Sequence, residues 1–163
     1  MKRIQLIFIM FAFLMLCGCS VNTAQYINLS KKPCNNYYTN LLYKKLNEDN
    51  SYTVHVFDTN LYKDIEVSSD LKLTISNFIT SLNSDSYADS SNTESKEAYR
   101  IKIVFSNGSK FLIKVFNNKY ITLSPWDGVY SEDYINMTNV PLAYNLFDFC
   151  NHIHNNTPKC SAN

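Results

Sequence analysis

Two cysteines and two histidines near the carboxyl end of the chain are residue types that bind transition metals. They are Cys150, His152, His154 and Cys160. Thiolate and imidazole are ligands that zinc and copper prefer, but on a helix only Cys150 and His154 would face the same side. A core cysteine with two solvated histidines near a helix C-terminus is the simpler interpretation. The sequence therefore predicts no metal and no other cofactor.

The carboxylates that follow the single tryptophan are a second candidate for chemistry. Asp127, Glu132 and Asp133 lie close enough in sequence to suggest a general acid and base, although acidic residues around a turn are ordinarily solvated. No serine, threonine or cysteine lies in a recognised nucleophile motif, and neither Gly108 nor Gly128 belongs to a phosphate-binding loop. The sequence thus predicts no catalytic residue, and an enzyme remains the alternative to a binding protein.

A β-hairpin is predicted where Tyr99 to Phe105 and Lys110 to Phe116 flank Ser106, Asn107 and Gly108. A two-residue turn would mix apolar and charged residues on one face of the hairpin. A three-residue loop with Gly108 in the left-handed conformation keeps one face apolar. The pairs that it predicts are Ile103 with Phe111, Ile101 with Ile113 and Tyr99 with Val115. We therefore expect the three-residue loop.

This register places four basic side chains together on the outward face of the hairpin. They are Arg100, Lys102, Lys110 and Lys114, with Val104 and Leu112 between them. Cations fixed on a sheet could bind an anionic polymer such as wall teichoic acid, or the acidic surface of a protein. A solvated face that only keeps the sheet soluble is the other interpretation. Trp126, Tyr130 and Tyr134 could form a platform for sugar rings, or could simply pack.

The hairpin belongs to a longer series of predicted elements. Helices are predicted from Asn35 to Asn47, from Ser68 or Ser69 to Asn83, and from Val140 to His152 with Pro141 in its first turn. Further strands are predicted at Tyr52 to Phe57, Asp64 to Val67 and Tyr120 to Ser124. The polar segment from Ser84 to Glu97 is predicted to be a mobile surface loop. Together these elements predict an α+β fold, with an antiparallel β-meander packed on one face by two to three helices.

The amino-terminal segment has the pattern of an export signal. Lys2 and Arg3 precede a run from Ile4 to Leu16 that is apolar apart from Gln5. The run is too short to cross a bilayer as a helix, which requires about 20 residues. An ordinary secretory signal is one interpretation of this pattern.

The end of the apolar run gives a more specific interpretation. Leu16, Cys17, Gly18 and Cys19 resemble the lipobox of bacterial lipoproteins. In that family the last cysteine receives diacylglycerol and the precursor is cut immediately before it. The resemblance implies lipid attachment at Cys19, because a cut before Cys17 would place the bulky Leu16 at the cleavage site. Acyl chains contribute about 0.8 kcal/mol per buried methylene, so the mature protein is expected to remain on the extracytoplasmic face of the cell membrane.

The rest of the chain has room for one domain. We predict a signal peptide at residues 1–18, a lipidated cysteine and stalk at residues 19–34, and a single domain at residues 35–163. The chain has 15 Lys and Arg against 14 Asp and Glu, and this balance opposes nucleic-acid binding. Abundant Asn, Lys and Ile with scarce glycine is typical of AT-rich genomes and favours a Gram-positive source. The exported domain resembles small lipoproteins of such bacteria.

Three cysteines follow the predicted lipidation site. Cys150 lies on the apolar stripe of the last predicted helix and is expected to be a core thiol. A disulfide between Cys34 and Cys160 would tie the tail to the base of the stalk, although sequence alone does not give connectivity. The leading hypothesis is a membrane-anchored lipoprotein that binds an envelope polymer or protein. A small hydrolase or metal-dependent enzyme of the cell envelope is the alternative.

Overall fold

A computed structural model describes residues 26–27, 32–49, 51–88, 96–126, 128–129 and 131–156. The helices in these ranges are α1 (Tyr37–Glu48), α2 (Leu73–Ser81) and α3 (Leu146–Asn156). The strands are β1 (Tyr26–Ile27), β2 (Tyr52–Asp58), β3 (Lys63–Glu66), β4 (Tyr87–Ala88), β5 (Tyr99–Phe105), β6 (Lys110–Val115), β7 (Tyr120–Pro125), β8 (Gly128–Val129) and β9 (Asp133–Asn136). Single turns of 3₁₀ helix lie at Ser84–Ser86 and Leu142–Tyr144.

Seven strands form one antiparallel sheet in the order β3, β2, β5, β6, β7, β9, β4. The predicted hairpin register is confirmed, because Ile103 lies opposite Phe111 and Ile101 lies opposite Ile113. Gly108 has a φ of 84°, the left-handed conformation that the three-residue loop requires. The predicted α+β fold, with a meander of β5, β6 and β7, is likewise confirmed.

The core lies between the inner face of this sheet and the three helices. Residues four apart on α1 form a buried stripe that includes Tyr38, Leu42 and Leu46, so this helix packs on β7 and β9. Phe78 from α2 and Leu146 from α3 are fully buried in the same cluster. Full burial of a large apolar side chain contributes about 1.5 to 3 kcal/mol, so the alternation of apolar residues along the strands fixes which face turns inward.

The last helix begins at Leu146, and the prediction that it begins at Val140 is wrong. Asn145 accepts a hydrogen bond at Oδ1 from the backbone N of Phe147 at 3.0 Å, as a helix-capping residue does. Its Nδ2 donates to the carbonyl of Asn118 at 2.9 Å. This tertiary contact fixes Asn145 as the residue that precedes α3, so Pro141 precedes only a turn of 3₁₀ helix.

Two features of the sheet depart from the sequence prediction. The predicted loop from Ser84 to Glu97 contains β4, in which Tyr87 pairs with Ile135 of β9, while residues 89–95 lie outside the described residues. Strand β9 itself was not predicted. Separately from the large sheet, β1 pairs in parallel with β8. None of the described helices is long and apolar enough to span a membrane.

Candidate functional site

The four predicted basic side chains lie on the outward face of the sheet. Arg100 lies opposite Lys114, Lys102 opposite Leu112, and Lys110 opposite Val104. Each of these residues alternates with a buried apolar neighbour on the same strand. The inner residues must turn toward the helices, so the charged residues are brought together on the other side.

Two of these four cations are paired with carboxylates. Arg100 Nε donates to Glu97 Oε1 at 2.8 Å, and Lys114 Nζ donates to Glu132 Oε1. Partial burial acts to raise the pKa of Glu97, but the hydrogen bond from Arg100 and the charge of Arg100 and Lys114 lower that pKa overall. The carboxylate therefore stays ionised and offsets part of the positive field of this face.

A groove of about 320 Å³ lies on the same outward face. Its lining residues are Phe57, Asp64, Arg100, Lys102, Leu112 and Trp126. The Lys102 ammonium lies 5.0 Å from the centre of the Trp126 ring, within the range of a cation–π interaction. Trp126 remains 42% exposed, so its indole is available to a ligand as well as to Lys102.

The position of Trp126 follows from the pairing of the strands. Its backbone N donates to the carbonyl of Lys110 at 3.0 Å, which extends the pairing of β6 with β7 by one residue. Pro125 lies opposite the inward residue Phe111, so the next side chain turns outward. The ring thereby reaches the groove from the edge of the meander.

Sequence analysis named four of the six groove residues and missed the opposite wall of the groove, which Phe57 and Asp64 form. The four are Arg100, Lys102, Leu112 and Trp126. Phe57 lies on the outward face of β2, opposite Asp64 on one side and Arg100 on the other. The alternation of side chains along β2 was the available signal, because Phe57 must face the side opposite to the inward-facing Val54 and Val56. Pairing of β2 with β5 could not be read from either segment alone.

Tyr134 of the predicted aromatic platform does not line the groove. The ring of Tyr134 has the ammonium of Lys32 at 5.9 Å from its centre. Tyr130 and Asp127 lie outside the described residues. The aromatic part of the described groove is therefore Trp126 with Phe57.

Glu132 and Asp133 do not form a pair of catalytic carboxylates. Glu132 binds Lys114 on the outward face, whereas Asp133 lies opposite the buried Leu123 on the inner face. Asp133 Oδ2 accepts hydrogen bonds from the backbone N and the Oγ1 of Thr39 at 2.7 and 2.9 Å. Burial raises the pKa of Asp133, while the hydrogen bonds from Thr39 and Lys32 act in the opposite direction. This arrangement holds α1 against the sheet and leaves the carboxylate closed to solvent.

The cysteines and histidines are similarly dispersed. Cys150 is buried, and burial raises the pKa of its thiol. His154 Nδ1 lies 4.0 Å from Asp58 Oδ2, and His152 is exposed. Over the described ranges, no three His, Cys, Asp or Glu side chains are grouped so as to hold a metal ion.

Two predicted modification sites fall wholly or partly beyond these ranges. Cys34 is exposed at the start of the domain, but Cys160 lies outside the described residues, so the disulfide stays a prediction. The proposed lipidation site, Cys19, and the predicted signal peptide also lie outside them.

Comparison with known proteins places this fold among lipoprotein-like domains. Residues 32–150 match the profile of a family described as a domain of unknown function, DUF4883. A crystal structure described as that of a putative lipoprotein from Clostridium perfringens is similar, with a TM-score of 0.69 and 26% sequence identity. The similarity covers 77% of this chain and 99% of that one. A comparison with curated proteins found no match.

Proposed function

The chain belongs to the family described as a domain of unknown function, DUF4883, and we propose that it is a lipoprotein that binds an anionic partner of the cell envelope. The proposed anchor is diacylglycerol on Cys19, and the proposed binding site is the groove on the outward sheet face. Similarity to a C. perfringens protein described as a lipoprotein supports the first part. The arrangement of Trp126 and Lys102 supports the second.

One observation carries the binding role, namely an exposed indole beside a lysine that has no carboxylate partner among the described contacts. A phosphate or carboxylate of the ligand would contact Lys102, whereas Arg100 is already paired with Glu97, and Trp126 and Leu112 would contact the apolar parts of the ligand. Strands β5 and β6 fix the backbone positions of Lys102 and Leu112, and the contact with Trp126 restricts the Lys102 side chain, so less ordering would oppose binding. Asp64 at the other wall would repel an anion, which would direct the ligand toward Lys102.

Fluorescence of Trp126 gives a direct test, because the chain contains one tryptophan. Purified wall teichoic acid, used as a soluble phosphate-diester probe, is added to the mature full-length chain in detergent. We expect a change in emission that disappears as salt shortens the Debye length from about 10 Å at roughly 0.1 M to about 3 Å at roughly 1 M. An unchanged spectrum at low salt would contradict the binding role.

Charge reversal supplies the matched comparison. Lys102→Glu should weaken binding about tenfold or more, equivalent to about 1.4 kcal/mol, because it places a negative charge in the groove. Lys119→Glu makes the same change at an exposed turn outside the groove and should leave the affinity nearly unchanged. Equal losses in the two variants would indicate a general effect of net charge.

The anchor requires its own experiment in cells. Cys19→Ala should abolish labelling by a fatty-acid analogue and leave uncut precursor, since no thiol remains to receive the diacylglycerol. Cys17→Ala is the matched control and should change neither result. Labelling that persists without Cys19 would refute the proposed anchor.

A further inference from the structure

The segment between the proposed anchor and the domain meets the structure beside the groove. Tyr26 pairs with Gly128, and Ile27 pairs with Val129. Gly128 follows Trp126 by two residues in the chain. The strand nearest to the anchor in sequence is therefore held next to the tryptophan that lines the groove.

Lys32 attaches the same segment to the sheet at a second point. Its Nζ donates to the carbonyl of Glu132 at 2.5 Å and to Asp133 Oδ1 at 3.1 Å. The side chains of Lys32 and Asp133 are 11% and 0% exposed, so this ion pair is shielded from solvent. The paired β1 and the half-buried Lys32 together fix where the anchor-proximal chain leaves the domain.

Chain length then limits how far the domain can stand from the membrane. Tyr26 follows Cys19 by seven residues, and a fully extended chain spans at most about 3.5 Å per residue. A lipid on Cys19 would thus keep Tyr26 within about 25 Å of the bilayer surface, whatever path the chain takes. Trp126 is two residues from Gly128, the partner of Tyr26, so the tryptophan would lie only about 10 Å farther from that surface at most than Gly128 does.

We propose that the groove docks on the anionic phospholipid headgroups of the membrane that carries the anchor. This inference rests on the proposed function and names the partner of the same site. Phosphate diesters at a membrane surface complement the charge of Lys102, and indole is a side chain that favours the interface between water and lipid. The tether raises the effective concentration of headgroups at the groove, so weak contacts suffice for docking. A polymer of the wall would have no such advantage.

The test uses the full lipidated chain in vesicles that contain a lipid with a dansyl headgroup. Energy transfer from Trp126 to dansyl reports the distance between the groove and the headgroups. We expect more transfer in vesicles containing phosphatidylglycerol than in vesicles of phosphatidylcholine alone, and the difference should vanish at roughly 1 M salt. Lys102→Glu and Lys102→Met should both reduce the difference, whereas Lys119→Glu should preserve it.

The possible outcomes separate this inference from the function on which it rests. Equal transfer in the two lipids, with teichoic acid binding intact, would overturn membrane docking and leave an anionic partner from the wall. High energy transfer in both lipids that changes neither with salt nor with the Lys102 variants would show that the groove lies near the membrane without docking on it. That result would also overturn membrane docking. If the two kinds of vesicle give equal energy transfer and teichoic acid does not bind, both membrane docking and the proposed binding of an anionic partner are overturned. Failure of the protein to float with the vesicles in a density gradient would show that the lipid anchor is absent, and membrane docking of the tethered groove would then be overturned.

Discussion

Two lysine–carboxylate pairs formed by adjacent acidic residues show how differently the two faces of the sheet use charge. Glu132 pairs with Lys114 outside, where the two side chains are 20% and 32% exposed. Asp133 pairs with Lys32 inside, where it is completely buried. Water screens the charges of the outer pair. The inner carboxylate is closed to water and depends on the protein for its hydrogen bonds. The inner pair should therefore control stability and the outer pair the surface potential.

The largest test of this comparison is removal of the inner carboxylate. Asp133→Ala would remove the only counter-charge of Lys32 among the described residues and the acceptor of two Thr39 donors, although Lys32 would still donate to the carbonyl of Glu132. Breaking a buried ion pair in this way costs about 3 to 5 kcal/mol, so we expect a loss of that size in the free energy of unfolding. Chemical denaturation of the full-length protein measures it. A loss below about 1 kcal/mol would mean that Asp133 is not structural.

A smaller loss is expected when one donor to the same carboxylate is removed. Thr39→Val keeps the branched shape and the backbone N–H but deletes the hydroxyl that donates to Asp133 Oδ2. A hydrogen bond to a charged group contributes about 1.5 to 3 kcal/mol, so unfolding should become easier by that amount. The double variant with Asp133→Ala should lose less free energy of unfolding than the sum of the two single losses, because both substitutions remove the same hydrogen bond. Full additivity would show that the hydroxyl acts elsewhere.

The inner pair also predicts a dependence of stability on pH. Burial raises the pKa of Asp133 above its usual value of 3.8, so between that value and the raised pKa the folded state binds more protons than the unfolded state. Stability contributed by this group should therefore fall as pH rises through that interval and level off above it. Tyr38 and Tyr87 interact with Asp133, but their pKa values are raised and they stay neutral there. Asp133→Asn should remove this component from a pH series of denaturation curves.

The same contrast explains what sequence could and could not predict. Parity along β5 and β6 was sufficient for the hairpin register, because a shift of one residue would have buried lysine. Strand β9 was missed because one of its two inward positions is occupied by Asp133, whose burial depends on Lys32 and Thr39 from a distant part of the chain. A strand is recognised in sequence by apolar residues at every second position. That pattern cannot reveal a strand in which tertiary hydrogen bonds allow a carboxylate to be buried at an inward position.

The groove was only half predictable for a related reason. Arg100 and Lys102 alternate with buried isoleucines on one strand, so their shared face was evident from local sequence. Phe57 and Trp126 reach that face through the pairing of β2 with β5 and of Lys110 with Trp126. The first pairing joins segments that are distant in sequence, and the second extends the meander beyond Ser124, where the predicted strand ends. The carboxylates that neutralise Arg100 and Lys114 come from connecting segments, which carry no periodic signal.

The smallest expected effect comes from the outer pair, and it should change binding rather than stability. Glu132→Gln removes the charge that offsets Lys114 but keeps the length of the side chain and the backbone carbonyl that accepts from Lys32. This half-buried pair lies at the surface, where ion pairs contribute about 0 to 1 kcal/mol, so the denaturation midpoint should hardly move. The positive field of the sheet face should rise, and affinity for teichoic acid at low salt should increase about twofold, since like fields add within a Debye length. Measured by Trp126 emission, that gain should disappear at high salt.

A Glu132→Gln variant that instead loses several kcal/mol in the free energy of unfolding would mean that Glu132 supports the fold as Asp133 does. The distinction between the two faces of the sheet would then fail.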